Sequence, residues 1–155
     1  MRRQHGFTLI ETLIVVVMIG ILLAMAAPSF VNFIASQRVK TASFDLYAAL
    51  TFARSEAIKR RQPVTVAPAS GNDWASGWTV SVGGTTLRSQ DAVSGVVFTG
   101  ATAVVYRLDG RLTSASALGV LVKPGSVNAT VSNRCIRIDL TGLPKSTTTS
   151  GSTCP

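Results

Sequence analysis

The chain has 155 residues, room for one domain beyond an apolar N-terminus, and 15 Lys+Arg against 7 Asp+Glu give it a formal net charge of +8. One histidine, His5, and two cysteines, Cys135 and Cys154, supply no zinc-binding spacing, and no Gly-rich phosphate loop opens a helix. The carboxylates are scattered over separate segments, so composition and spacing argue against an enzyme and imply no cofactor and no metal.

The N-terminus begins with a short basic stretch, MRRQHG, whose Arg2 and Arg3 belong on the cytoplasmic side by the positive-inside rule. An apolar run follows, and from Phe7 to Ala27 it is long enough to cross a bilayer, for which about 20 helical residues suffice. Thr12–Ala27 carries no charge. Three readings compete here. One is a cleavable secretory signal ending at Ala24-Met25-Ala26, and another is a plain signal anchor. The third accounts for Glu11, a carboxylate inside the apolar run that costs several kcal/mol in lipid unless it is paired or stays protonated.

Gly6-Phe7-Thr8-Leu9-Ile10-Glu11, preceded by the basic leader and followed by the apolar run, resembles the prepilin cleavage and methylation motif of type IV pilins and type II secretion pseudopilins. The resemblance implies that a prepilin peptidase cuts between Gly6 and Phe7 and N-methylates Phe7. It also implies that Glu11 places the subunit among its neighbours. The α-amino group of Phe7 on an adjacent subunit is the natural partner of Glu11, and such a pair specifies register more than it adds stability. The alternative is a Glu11 that snorkels to the membrane edge. The cut would discard His5, leaving no histidine for a Ser/His/Asp or Cys/His site.

Pro28 falls where pilins usually carry a helix-loosening proline, and its missing N–H predicts a kink. Beyond it, Ser29–Arg61 holds neither Gly nor Pro. Leu46, Leu50, Ala53 and Ala57 recur on one helical face, Glu56 and Arg60 form an i,i+4 pair in the favourable order, and Lys59, Arg60 and Arg61 suit a helix C-terminus. Gln62-Pro63 should end the helix.

The remainder reads as β. Strands are expected at Val64–Ala67, Trp78–Val82, Val96–Phe98, Ala103–Leu108, Leu118–Val122, Val127–Ser132 and Cys135–Leu140. Turns are expected at Gly83-Gly84, Asp109-Gly110 and Pro124-Gly125. Ile136, Ile138 and Leu140 alternate with Arg137 and Asp139, as in a half-buried strand. Asn128-Ala129-Thr130 fits a glycosylation sequon, which a strand position discounts. The Ser/Thr-rich tail Ser146–Thr153 would be floppy if unattached. In an exported chain the even cysteine pair suggests a Cys135–Cys154 disulfide that closes this tail into a loop, the alternative being two buried free thiols.

LYAALTFARSEA (Leu46–Ala57), Lys59-Arg60-Arg61, Asp73-Trp74-Ala75-Ser76-Gly77-Trp78 and Tyr106-Arg107-Leu108-Asp109-Gly110-Arg111 are similar to the GspH/FimT family of pseudopilins and minor pilins. The implied fold is α+β and type IV pilin-like, a long N-terminal helix with a transmembrane first half, packed on a C-terminal antiparallel β head. The organisation is then a cleaved leader (1–6), a transmembrane part (7–27), the rest of the helix (28–61) and the head (62–155). Trp74 and Trp78 are expected to pack the head against the helix.

The implied function is a structural subunit that primes or caps a type IV pilus or type II secretion pseudopilus. Its partners would be the prepilin peptidase, other major or minor pilins or pseudopilins, and the inner membrane. The subunit would cross that membrane once, with its head in the periplasm, before entering the filament near the tip. Cleavage leaves about +6, which favours anionic partners. Some FimT members are DNA receptors in natural transformation and carry a Gly-Arg-x-Arg motif near the C-terminus. Here Gly142-Leu143-Pro144-Lys145 stands at that place without either arginine. Arg134, Arg137 and Lys145 are the candidate phosphate contacts of this second reading, set against a plain solvated basic face.

Overall fold

The computed structural model describes residues 7–126 and 131–154, and for residues 26–28 the backbone alone. The leader with Gly6, most of the strand expected over 127–132, and the Asn128 sequon therefore lie outside the described residues. The chain forms two compact units, the first ending at Ile34 and the second running from Ala35 to the C-terminus.

Helix α1 spans Leu9–Arg60. Thr8 caps it: the Glu11 backbone N–H donates to Thr8 Oγ1 at 3.3 Å, which satisfies one of the amides left open at a helix start. The assignment runs through Pro28, so the proline does not end the helix; its side chain lies outside the described residues. At the far end Arg61 takes the left-handed conformation (φ 53°) immediately before Gln62-Pro63, a helix stop usually given to glycine.

Eight strands follow: β1 Val64–Pro68, β2 Trp78–Val82, β3 Thr85–Gln90, β4 Val96–Gly100, β5 Val104–Tyr106, β6 Leu118–Pro124, β7 Asn133–Ile138 and β8 Pro144–Thr149. They form two antiparallel four-stranded sheets, in the orders β3-β2-β1-β5 and β4-β6-β7-β8. Gly83 and Gly84, both with positive φ, make the two-residue turn between β2 and β3 that the sequence signalled.

The helical face read from the sequence is the buried one. Leu46, Leu50, Ala53 and Ala57 are fully covered, and Val39, Ala42 and Ala49 extend the stripe. Five of the eight buried apolar positions on this helix are alanines, and their small side chains let the sheets come close to the helix. Trp74, on a short 3-10 turn (Trp74–Ser76) capped by Asp73, stands 6.4 Å from Trp78. Trp78 in turn meets Phe98 edge-on at 6.0 Å. Trp74 Nε1 donates to the Ala101 carbonyl at 2.7 Å. The two rings thus join β2 of one sheet to β4 of the other; they are buried as expected, but the ring contacts run between the sheets rather than to the helix they were expected to pack against.

Four expectations need correction. The strand expected at Ala103–Leu108 shortens to Val104–Tyr106, because a tight turn begins at once, with Arg107 N–H donating to Arg111 O at 2.8 Å. Leu140 is exposed in a turn and does not continue the alternation of Ile136 and Ile138. Val131 and Ser132 precede β7 and are not in a strand. The Ser/Thr tail contributes β8 through Thr149, paired along the whole of β7, so it is held by a ladder as well as by a disulfide. Both β3 and β8 escaped the sequence reading because neither offers an apolar face.

Candidate assembly surfaces

The first unit presents an open apolar surface. Phe7 and Leu9 are each 82% exposed, and Ile10, Leu13 to Ile19 and Ile21 to Leu23 are all more than half or about half open. By length and composition α1 contains a stretch able to cross a membrane. Among the described residues up to Ile34, Glu11 is the sole ionisable side chain. It occupies the first helical turn, three residues after its cap Thr8. There a carboxylate also faces the positive end of the helix dipole. Thr8-Leu9-Ile10-Glu11 is a capping-box pattern that the sequence reading passed over, because Glu11 was read only as a charge in lipid.

In the second unit the Cys135–Cys154 disulfide is formed, with Cα atoms 5.3 Å apart. Cys135 lies on the outer side of β7, opposite the core, so the bridge draws residues 150–154 across the outside of the second sheet. Leu121, the register partner of Cys135, is covered there to 1% exposure. Gly119 is the seat of this strap, since a Cβ at that position would come within 2.9 Å of Cys154 Cβ. A cavity of about 260 Å³ opens beside the strap between Thr99, Leu121 and Thr153.

The three basic candidates do not form one cluster. Arg137 and Lys145 are register partners on the outer face of β7 and β8, and both are exposed. Arg134 is three residues from Arg137, so strand alternation turns it to the opposite face, where it donates to Ser146 Oγ at 3.4 Å. The expected Glu56–Arg60 pair is present at 2.5 Å, with Lys59 at 3.6 Å on the other oxygen. The Arg60 hydrogen bond holds the Glu56 carboxyl below its ordinary range, against the opposing effect of burial. Asp139 is lowered in the same way, mainly by the Thr141 hydroxyl. Burial pushes the Tyr106 pKa up, and its hydroxyl finds no hydrogen-bond partner among the described residues. No group of three metal-ligating side chains occurs among the described residues.

Comparison with known proteins agrees with this anatomy. A family model described as Type II transport protein GspH matches residues 42–142. A second, the Prokaryotic N-terminal methylation motif, matches residues 1–27. A fimbrial protein of Pseudomonas aeruginosa is 37% identical over 81 residues, 52% of this chain and 53% of its own. The major pilin PilA of Myxococcus xanthus is 47% identical over 53 residues, 34% of this chain and 24% of its own. The chain spans about half the length, or less, of these two curated relatives. In fold it is similar to the minor pilin FimU of P. aeruginosa, with a TM-score of 0.64 at 19% identity over 79% of this chain and 96% of that one.

Proposed function

The chain belongs to the GspH family, and from that premise we propose that it is a minor pilin or pseudopilin, a structural rather than catalytic subunit that primes or caps a filament near its tip. The supporting observation is the first unit: a long apolar helical surface, open along its length, with one carboxylate at its start. A surface of that kind needs lipid before assembly and other helices afterwards. On this reading a prepilin peptidase cuts Gly6–Phe7 and methylates Phe7. The subunit then waits in the inner membrane with its head in the periplasm. Glu11 pairs with the Phe7 amino group of a neighbour and sets the axial register.

The experiment is Glu11→Val in the full chain. Membrane insertion should persist, since the change removes a charge from the apolar segment. The variant should be depleted from sheared filament fractions by at least about tenfold, the effect of losing roughly 1.4 kcal/mol of register preference. Undiminished incorporation would remove Glu11 from the mechanism. DNA capture is the weaker reading, because β7 alternation leaves Arg137 and Lys145 without Arg134, short of a stripe of cations that follows a phosphate backbone.

A further inference from the structure

The head carries an unpartnered surface of its own at the end of α1. Ile58, Leu108, Leu140 and Leu143 are 46%, 54%, 51% and 47% exposed, although each is a large aliphatic side chain. They come from the helix, the turn after β5 and the β7–β8 loop, three segments that meet at a single seam. A Cβ on Gly110 would lie 2.6 Å from Ile58 Cδ1, and one on Gly142 would overlap the Gly110 carbonyl oxygen. Helix, turn and loop are therefore in close contact at these two glycines. Arg54 Nε donates to the Gly110 carbonyl at 3.1 Å. Asp139 Oδ1 accepts the Thr141 and Leu143 backbone N–H groups at 3.0 and 3.1 Å, which presets the loop.

The edge of the seam is basic. Lys59, Arg107, Arg111 and Lys145 are all exposed, each within three residues in the chain of one of the four aliphatic side chains. The acids on the same elements are committed locally. Glu56 binds Arg60 and Lys59, Asp109 accepts the Arg111 N–H at 3.1 Å and lies 4.0 Å from the Arg107 guanidinium, and Asp139 holds its own loop, so the five cations Lys59, Arg60, Arg107, Arg111 and Lys145 still outnumber these three acids.

We propose that this seam is a docking surface for another protein whose contact face is apolar at its centre and acidic at its edge. An apolar centre inside a charged rim is the anatomy of a protein interface, and the sign of the rim selects the partner. A second copy of this chain is a poor occupant, since its own seam is basic and would be repelled. Nucleic acid would gain nothing from four aliphatic side chains, which offer no stacking platform. A bilayer favours protruding aromatic anchors, whereas these side chains are half-covered on tied elements. The inference concerns the head alone and does not rest on the filament reading.

The test places a photo-crosslinking amino acid at Leu108, and separately at Leu143, in the full chain in membranes of its native host. The expected result is a protein adduct whose mapped peptide carries Asp or Glu beside the crosslinked residue. Combining the probe with Arg107→Glu and Arg111→Glu should lower adduct yield by at least about tenfold, and reversing the mapped acids to Lys should restore it. Intact Cys135–Cys154 pairing on a non-reducing gel certifies that each variant is folded. No adduct, adducts only with lipid, nucleic acid or the chain itself, or a yield indifferent to charge reversal would overturn the proposal. Filament incorporation is scored in the same cells, so loss of incorporation with the adduct retained would count against the proposed function and leave the docking surface standing.

Discussion

Glu56 shows how one side chain serves the head through its charge. It is buried to 7% exposure, yet it holds both Arg60 and Lys59 at the end of α1. Its carboxyl sits below the ordinary 4.5, with the Arg60 hydrogen bond as the largest cause and burial opposing it. A folded pKa below the unfolded value means that the contribution to stability is complete above the unfolded pKa and is lost as pH falls through the folded one. Asp139 has the same sign, through Thr141. The head should therefore lose stability on acidification, as the pH falls through and below the ordinary carboxylate range. Glu56→Gln should flatten that limb, because it removes one of the protons taken up on unfolding. Urea midpoints of the two proteins across this range measure the effect, and parallel curves would show that Glu56 is not linked to folding.

At the scale of an element, β8 and the strap after it illustrate how a polar segment becomes structure. Pro144–Thr149 has no apolar face, and most of its side chains are exposed. It is held by its ladder with β7 and by a disulfide that closes a separation of 19 residues. Restricting the unfolded chain in this way contributes about 3 kcal/mol on the chain-entropy model. Cys154→Ser should therefore lower the unfolding free energy by about that amount and make the β8 amides exchange hydrogen faster than those of β6. Leu121, now covered beneath the strap, should become accessible to solvent. Unchanged β8 exchange in the variant would show that the ladder alone suffices.

For the whole molecule, the two units have opposite physical characters. The head buries its aliphatic and tryptophan side chains in one cluster fed by both sheets and the helix. The segment before Ala35 leaves its apolar side chains open. The proposed processing ties the two to export. Intact-mass measurement on membrane-extracted protein should give a chain beginning at N-methylated Phe7 with one disulfide. A chain beginning at Ala27 would have lost the whole apolar segment, and the filament reading with it.

The long helix, the β head and the N-terminal methylation motif were legible from residue order, because each is encoded locally by an apolar period, a turn dipeptide or a short motif. The buried stripe through Leu46, Leu50, Ala53 and Ala57 belongs to the same class, as does the burial of Trp74 and Trp78, but not their contacts with Ala101 and Phe98. Strands β3 and β8 were not legible, since polar edge strands are specified by the neighbour that pairs with them rather than by their own pattern. Register alone separated Arg134 from Arg137 and Lys145, because a ladder sends side chains three apart to opposite faces. Tertiary contact alone brought Ile58, Leu108, Leu140 and Leu143 to one seam, through two glycines whose missing Cβ atoms let three distant segments close on each other.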